Sequence, residues 1–340
     1  MLPAIFGLPG LALRGDERAF FRAADPAGFI LFARNCRDRE QLRALTGEFR
    51  ALSGRDDLPI LIDQEGGRVA RMRPPEWPLF PPAEAFDRLY RIAPISAIEA
   101  ARVNALAIAL TLAEVGINVD CLPLLDLRHP GGHDIVGDRA LGAEPMQVAA
   151  LGRAVLDGLR EGAVAGVLKH MPGHGLARAD SHEELPVVRA SRDELEADFA
   201  PFRALRHAPI AMTAHILYPA LDPDLPASLS PRVVGGTIRG DIGFDGLLVS
   251  DDLVMAALSG SVGSRAAAAV AAGCDLALHC SGALAEMEEV AAALGPIGDA
   301  ALARLDRATA GLAARPDPAR YAELAEKRDR LLAYAASAPG

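Results

Sequence analysis

The chain holds eight histidines in 340 residues, and three of them fall inside one short stretch. Lys169-His170-Met171-Pro172-Gly173-His174-Gly175 is followed closely by Asp180-Ser181-His182. Pro172, Gly173 and Gly175 make this a loop, so His170 and His174 do not share a helical face as a helical zinc pair would. Two chemistries fit. A loop-borne metal site would draw on His170, His174, Asp180 and His182. Proton transfer would use His182, with Asp180 two residues before it to orient the imidazole and stabilise its protonated form. Imidazole titrates near neutrality, which suits a group that must give up and recover a proton.

Other titratable residues follow apolar runs in the same way. Asp63 comes after residues 59–62, Lys169-His170 after 164–168, His215 after 210–214 and Asp251-Asp252 after 247–250. Asp251 ends an otherwise apolar run, so its carboxylate is expected to be fixed and partly shielded, as a covalent nucleophile must be. Asp252 would then point elsewhere and is read as a helix N-cap, although the two roles could be exchanged. Asp63-Gln64-Glu65-Gly66-Gly67-Arg68 sets two acids, an amide and an arginine around a diglycine turn, a set suited to a hydroxyl-rich ligand. Arg139, in Gly137-Asp138-Arg139, could clamp a substrate, but taken alone it reads as a solvent-exposed arginine. Trp77, the one tryptophan, lies among prolines and is as consistent with packing as with substrate contact.

These residues need strands to position them. Apolar runs bounded by turn residues recur at 4–8, 28–32, 59–62, 117–125, 164–168, 210–214, 247–250 and 276–279. Helical stretches separate most of them, with start signals at Ser96 to Glu99, Ser191 to Glu194 and Ser230-Pro231. Alternating strands and helices, with strands apolar on both faces, predict a parallel sheet covered by helices. Eight such units match a (β/α)8 TIM barrel, whose active site lies at the C-terminal ends of the strands. The first turn, Gly7-Leu8-Pro9-Gly10, is not a dinucleotide-binding fingerprint. Prolines at 74, 75, 78, 81 and 82 mark a long irregular excursion, and the residues after Cys280 read as helices only. The expectation is therefore one α/β domain over residues 1–340, a barrel with C-terminal helices at about 284–336 packed on it.

A hydrophobic fraction of 51% provides ample core, and a formal charge of -10 lacks the basic footprint of a nucleic-acid binder. Four cysteines without paired spacing fit a reducing compartment, hence the cytoplasm. Residues 1–13 are apolar but broken by Pro3, Gly7, Pro9 and Gly10, and read as a strand and turn rather than a signal peptide. Apolar runs of membrane-spanning length occur only in alanine-rich helical patterns, so no membrane span is expected.

The motif around Asp63 to Val69, the long histidine motif and Ser250-Asp251-Asp252-Leu253 together resemble, in order and spacing, the bacterial β-N-acetylhexosaminidases of glycoside hydrolase family 3. The resemblance spans nearly the whole chain. It implies a single barrel, no metal or organic cofactor, and retaining hydrolysis of terminal β-linked N-acetylglucosamine, from a muropeptide in cell-wall recycling or from a chito-oligosaccharide. It implies Asp251 as nucleophile, His182 as general acid/base with Asp180 as partner, and sugar contacts at Asp63, Arg71, Arg139, Lys169 and His170. The length, too short for the second domain of the β-glucosidase relatives, points to the hexosaminidase branch, and a monomer without nucleic-acid or membrane partners is expected. Met171 stands where the family has phenylalanine, and Arg178 where it has threonine or another small residue. Histidine as acid/base would not repel an incoming anion, so phosphorolysis stands beside hydrolysis as an alternative. A metal-dependent barrel hydrolase is the reading outside glycoside chemistry, and a non-catalytic sugar-binding barrel is a third.

Overall fold

The computed structural model describes residues 1–312 and 317–337. Eight parallel strands close into a barrel in sequence order: β1 (Leu2–Phe6), β2 (Pro26–Leu31), β3 (Ile60–Ile62), β4 (Val119–Asp120), β5 (Ala165–Met171), β6 (Ile210–Thr213), β7 (Leu247–Asp252) and β8 (Leu276–His279). Ten α-helices accompany them: α1 (Gly15–Ala24), α2 (Arg39–Ser53), α3 (Ala83–Tyr90), α4 (Pro94–Glu114), α5 (Pro145–Glu161), α6 (Arg192–Ala204), α7 (Val262–Ala272), α8 (Leu284–Ala293), α9 (Asp299–Thr309) and α10 (Tyr321–Ser337). A π-helix, Arg232–Asp241, covers the β6-to-β7 crossover.

Side chains alternate between two apolar layers. Ile5, Ile30, Leu61, Val119, Val167, Met212, Val249 and Leu278 fill the barrel interior. Their neighbours Phe6, Phe29, Ile60, Leu168, Ala211 and Leu248 pack outward under the helices. Each fully buried aliphatic contributes about 1.5–3 kcal/mol. Two residues on from Leu61, Val167 and Val249 the same alternation reaches Asp63, Lys169 and Asp251 at the C-terminal mouth. At the opposite mouth Leu305 and Ala308 of α9 join the interior cluster, and Arg304 bonds Asp245 and Asp275 just before β7 and β8.

The strand pattern departs from expectation at its ends. The fourth run is strand only at Val119–Asp120, because Pro123 has no N–H to donate to a ladder. Conversely, β5 and β7 run on through Lys169-His170 and Asp251-Asp252, so these pairs lie on strand rather than after it, and register irregularities between Leu168 and Met171 and between Val249 and Asp252 mark both places. Bulges of this kind re-aim side chains at barrel rims.

Ser191 caps α6 as read, accepting from the Glu194 N–H while Glu194 accepts from Ser191 N. Ser230 Oγ accepts from Val233 N at 3.0 Å and opens the π-helix. Ser96 is not a cap. Pro94, whose fixed φ suits a first helical position, starts α4 two residues earlier, and Glu99 instead pairs with Arg102 and with Lys327 of α10. By length and composition α4 could cross a membrane, but it is largely buried between α3, α5 and α10. Its apolar circumference is thus that of a core helix.

Candidate active site

The C-terminal mouth encloses a cavity of about 270 Å³, below the roughly 300–1,000 Å³ of pockets for drug-sized ligands. Asp63, Arg71, Arg139, Lys169, His170, His182 and Asp251 all line it, whereas Asp180 stands behind His182, and His215, Gln64 and Arg68 do not line it.

Opposite charges organise one wall. Lys169 Nζ lies 3.0 Å from Asp63 Oδ1 and 2.6 Å from Glu65 Oε1. Arg71 reaches Asp63 Oδ2 at 3.1 Å, and Arg139 makes two 2.8 Å bonds to Glu65. Arg139 is thus buried and paired rather than solvent-exposed. Burial alone would push Lys169 down, but Glu65 and Asp63 hold it above its ordinary value. Burial likewise works against the ionised carboxylates, yet Lys169 and Arg71 keep Asp63 well below its usual range, and Arg139 and Lys169 bring Glu65 to about 2. Lys169, Asp63 and Glu65 are therefore charged at pH 7, and Arg71, Arg139 and Lys169 present fixed donors to polar groups of a ligand.

The diglycine turn makes this wall. Gly66 has φ 97° and a Cβ there would collide with the Pro81 carbonyl, while Glu65 N and Gly66 N both donate to Val69 O. The turn carries Glu65 inward between its two cations. Arg68 faces away and ties the turn to Asp138 and to the carbonyls of Asp134 and Ile135.

A second buried carboxylate fixes the start of the histidine loop. Asp126 accepts from His170 Nδ1 at 2.7 Å, from His170 N at 3.2 Å and from His174 N at 2.7 Å. Burial opposes its ionisation, but His170 and these bonds carry its pKa down to about 2. With Nδ1 engaged, His170 turns Nε2 to the cavity it lines. Burial brings His174 down to about 4, so it is neutral at pH 7. The Lys169–His170 and Met171–Pro172 peptide bonds are cis.

His182 stands at the rim, 65% exposed, with Nδ1 2.7 Å from Asp180 Oδ1, and the same oxygen accepts the His182 backbone N–H. That places the Nδ1 proton against the carboxylate and leaves Nε2 for the cavity. Asp251 lines the cavity on the β7 side, its Oδ1 accepting from Asp252 N at 2.8 Å. Burial raises its pKa, but His170, His215 and the Asp252 N–H outweigh it and hold the carboxyl below its usual value. Asp252 borders the same cavity rather than pointing elsewhere, the register irregularity in β7 breaking the simple alternation, and it is not a helix N-cap: Oδ1 accepts from Val254 N and Cys280 N, each at 3.1 Å, and α7 begins only after Ser261. Trp77 is packing, 4% exposed.

The metal set does not assemble: among the described residues no three His, Cys, Asp or Glu side chains form a group able to hold a metal ion.

Sequence reasoning missed Asp126 as a site residue, and named Glu65 within the diglycine motif without its two cationic partners. Asp126 directly follows the 117–125 run, so the rule that found Asp63 and Asp251 also reaches it. It missed as well the buried partners of His215, whose Nδ1 meets Ser228 Oγ at 2.6 Å and Nε2 the Asp252 carbonyl at 3.0 Å.

The glycosyl hydrolase family 3 N-terminal domain matches residues 7–312. The chain belongs to that family. Curated relatives agree: a β-hexosaminidase of Aromatoleum aromaticum is 41% identical over 82% of this chain and 79% of its own, and one of Alkalilimnicola ehrlichii is 40% identical over 89% and 88%. NagZ of Neisseria gonorrhoeae, solved in complex with N-trifluoroacetyl-D-glucosamine, superposes with a TM-score of 0.86 at 30% identity over 98% of both chains. As a family 3 member the chain is a glycoside hydrolase, and its relatives at about this identity place it with the β-hexosaminidases.

Proposed function

We propose that the chain is a retaining β-N-acetylhexosaminidase that releases terminal β-linked N-acetylglucosamine through a glycosyl ester on Asp251. The observation that carries this reading is one cavity holding an ionised, shielded Asp251 on one side and the Asp180-paired His182 on the other. In the first step an Asp251 oxygen attacks the anomeric carbon, the bond to the aglycone oxygen breaks, and protonated His182 passes its Nε2 proton to that oxygen. In the second, a water attacks the same carbon, His182 takes its proton, and Asp251 leaves as carboxylate. Two inversions give net retention. Asp180 orients the ring through the 2.7 Å contact with Nδ1. Asp63, Arg71, Arg139, Lys169 and His170 hold the sugar hydroxyls and the N-acyl group.

The relative's complex with an N-acyl glucosamine supports this substrate class. The small cavity suits one terminal sugar, with the aglycone, as in a muropeptide from cell-wall recycling or a chito-oligosaccharide, left at the rim beside His182. The four free cysteines agree with a reducing compartment such as the cytoplasm, and a monomer using no metal or organic cofactor belongs to the same proposal.

The test uses an aryl β-N-acetylglucosaminide in phosphate buffer, with product mass as well as aglycone release measured. Free N-acetylglucosamine with retained configuration is expected. Its 1-phosphate would replace hydrolysis with phosphorolysis, and no aglycone from this substrate or from an aryl β-glucoside would overturn the reading. A slow fluorinated glycoside should add one sugar mass to the peptide containing Asp251.

A further inference from the structure

A second cavity, of about 620 Å³, opens at the other end of the barrel, where β5 and β7 begin. It exceeds the catalytic one. Its floor is apolar, formed by Leu156, Val164, Ala165, Ala208, Ala308 and Leu312. Five arginines surround it, Arg153, Arg160, Arg206, Arg304 and Arg307, with His207, against only Asp157 and Asp245.

The carboxylates do not saturate these cations. Asp245 is shared by Arg304 at 2.9 Å and Arg307 at 3.6 Å, Arg304 also reaches Asp275 at 3.0 Å, and Asp157 meets Arg160 at 3.5 Å. Arg153 and Arg206 touch only backbone, the carbonyls of Ala204 at 3.4 Å and Arg203 at 3.2 Å. Neither has a carboxylate partner among the described residues. Five guanidinium groups surround one concavity lined by two carboxylates, with Asp275 a third partner behind Arg304, in a chain whose formal charge is -10. Such local crowding of like charge raises the potential in the cavity and is relieved by an anion. Ala163, a non-glycine residue with φ 58°, also lines it, and residues held in this region recur at ligand sites.

A guanidinium fork matches phosphate oxygens in pairs, whereas the apolar floor would be left unfilled by a bare phosphate. We propose that this cavity is a nucleotide-binding site, with the phosphates on Arg153 and Arg206 and the base on the apolar floor. It lies at the strands' N-terminal ends, so an occupant leaves the catalytic mouth open.

The test is titration calorimetry of the full chain at physiological ionic strength with ATP, UTP and inorganic pyrophosphate as probes, beside an Arg153→Ala/Arg206→Ala variant. Both side chains are exposed, so the variant should fold and hydrolyse the aryl substrate as the parent does. At least one nucleotide should bind with a dissociation constant of about 10–100 μM. The variant should bind it at least about tenfold more weakly, as loss of charge-assisted bonds requires. Absence of heat from both nucleotides at millimolar concentration, unchanged binding by the variant, or pyrophosphate binding as tightly as the nucleotide would each overturn the proposal.

Discussion

Glu65 holds two cations at once, Lys169 at 2.6 Å and Arg139 at 2.8 Å. Removing it leaves Arg139 uncompensated in a buried wall and Lys169 with Asp63 alone. Glu65→Ala should therefore lower stability by about 3–5 kcal/mol, read by urea denaturation, and raise KM as Arg139 loses its anchor. A loss below about 1 kcal/mol would mean that water or Asp63 replaces it. His182 should behave oppositely, because its ring is exposed and supports no packing. His182→Ala is expected to leave the melting temperature unchanged and to cut kcat about 10²- to 10⁴-fold for a poor leaving group. An activated aryl leaving group needs little proton donation and should lose much less. Equal losses on the two substrates would argue against an acid role.

At the scale of elements, α5 ends in a strained turn: Ala163 has φ 58°, in the left-handed region that glycine occupies without cost. Ala163→Gly should raise stability by roughly 0.5–1 kcal/mol, measured as a shift in denaturation midpoint at constant slope. Ser191 accepts from the Glu194 N–H at the start of α6, so Ser191→Ala should cost about 1 kcal/mol. Helix α6 also carries Asp198, whose carboxylate meets His129 Nε2 at 3.0 Å in the segment after Asp126. Loosening its first turn thus reaches the catalytic face only indirectly, and kcat/KM should change little.

At the scale of the molecule, buried carboxylates set the response to acid. Asp126 has its pKa lowered from 3.8 to about 2, so the unfolded chain binds its proton more readily than the folded one. Its stabilisation is complete above the unfolded value and is lost as pH falls through the folded one. The stability difference between the wild type and Asp126→Asn should accordingly be on the order of 2 kcal/mol at pH 7 and narrow between about pH 5 and pH 2. Asp63 and Glu65 act in the same direction. Asp120 and Asp252, pushed up first by burial, act in the opposite one. A difference that stayed constant across this range would show that Asp126 contributes only through neutral hydrogen bonds.

Read alone, the amino-acid sequence determined the eight apolar runs, their alternation with helices, and hence the barrel and its functional face. Burial on both sides of a parallel strand writes itself as a continuous apolar run, and the alternation that fills the barrel also ends at Asp63, Lys169 and Asp251. The local dyad of Asp180 and His182 was legible for the same reason, since two residues of backbone suffice to join them. Only the tertiary structure decided partnerships between distant segments. Glu65 meets Arg139 across 74 positions and Asp126 meets His170 across 44, and no local preference encodes either pairing. Nor could composition show that α4, apolar all round, is enclosed by α3, α5 and α10, or that arginines from three separate segments surround one cavity at the far end. Closure of the barrel brings these side chains together, and each site's charge balance is a sum over neighbours that only the folded chain possesses.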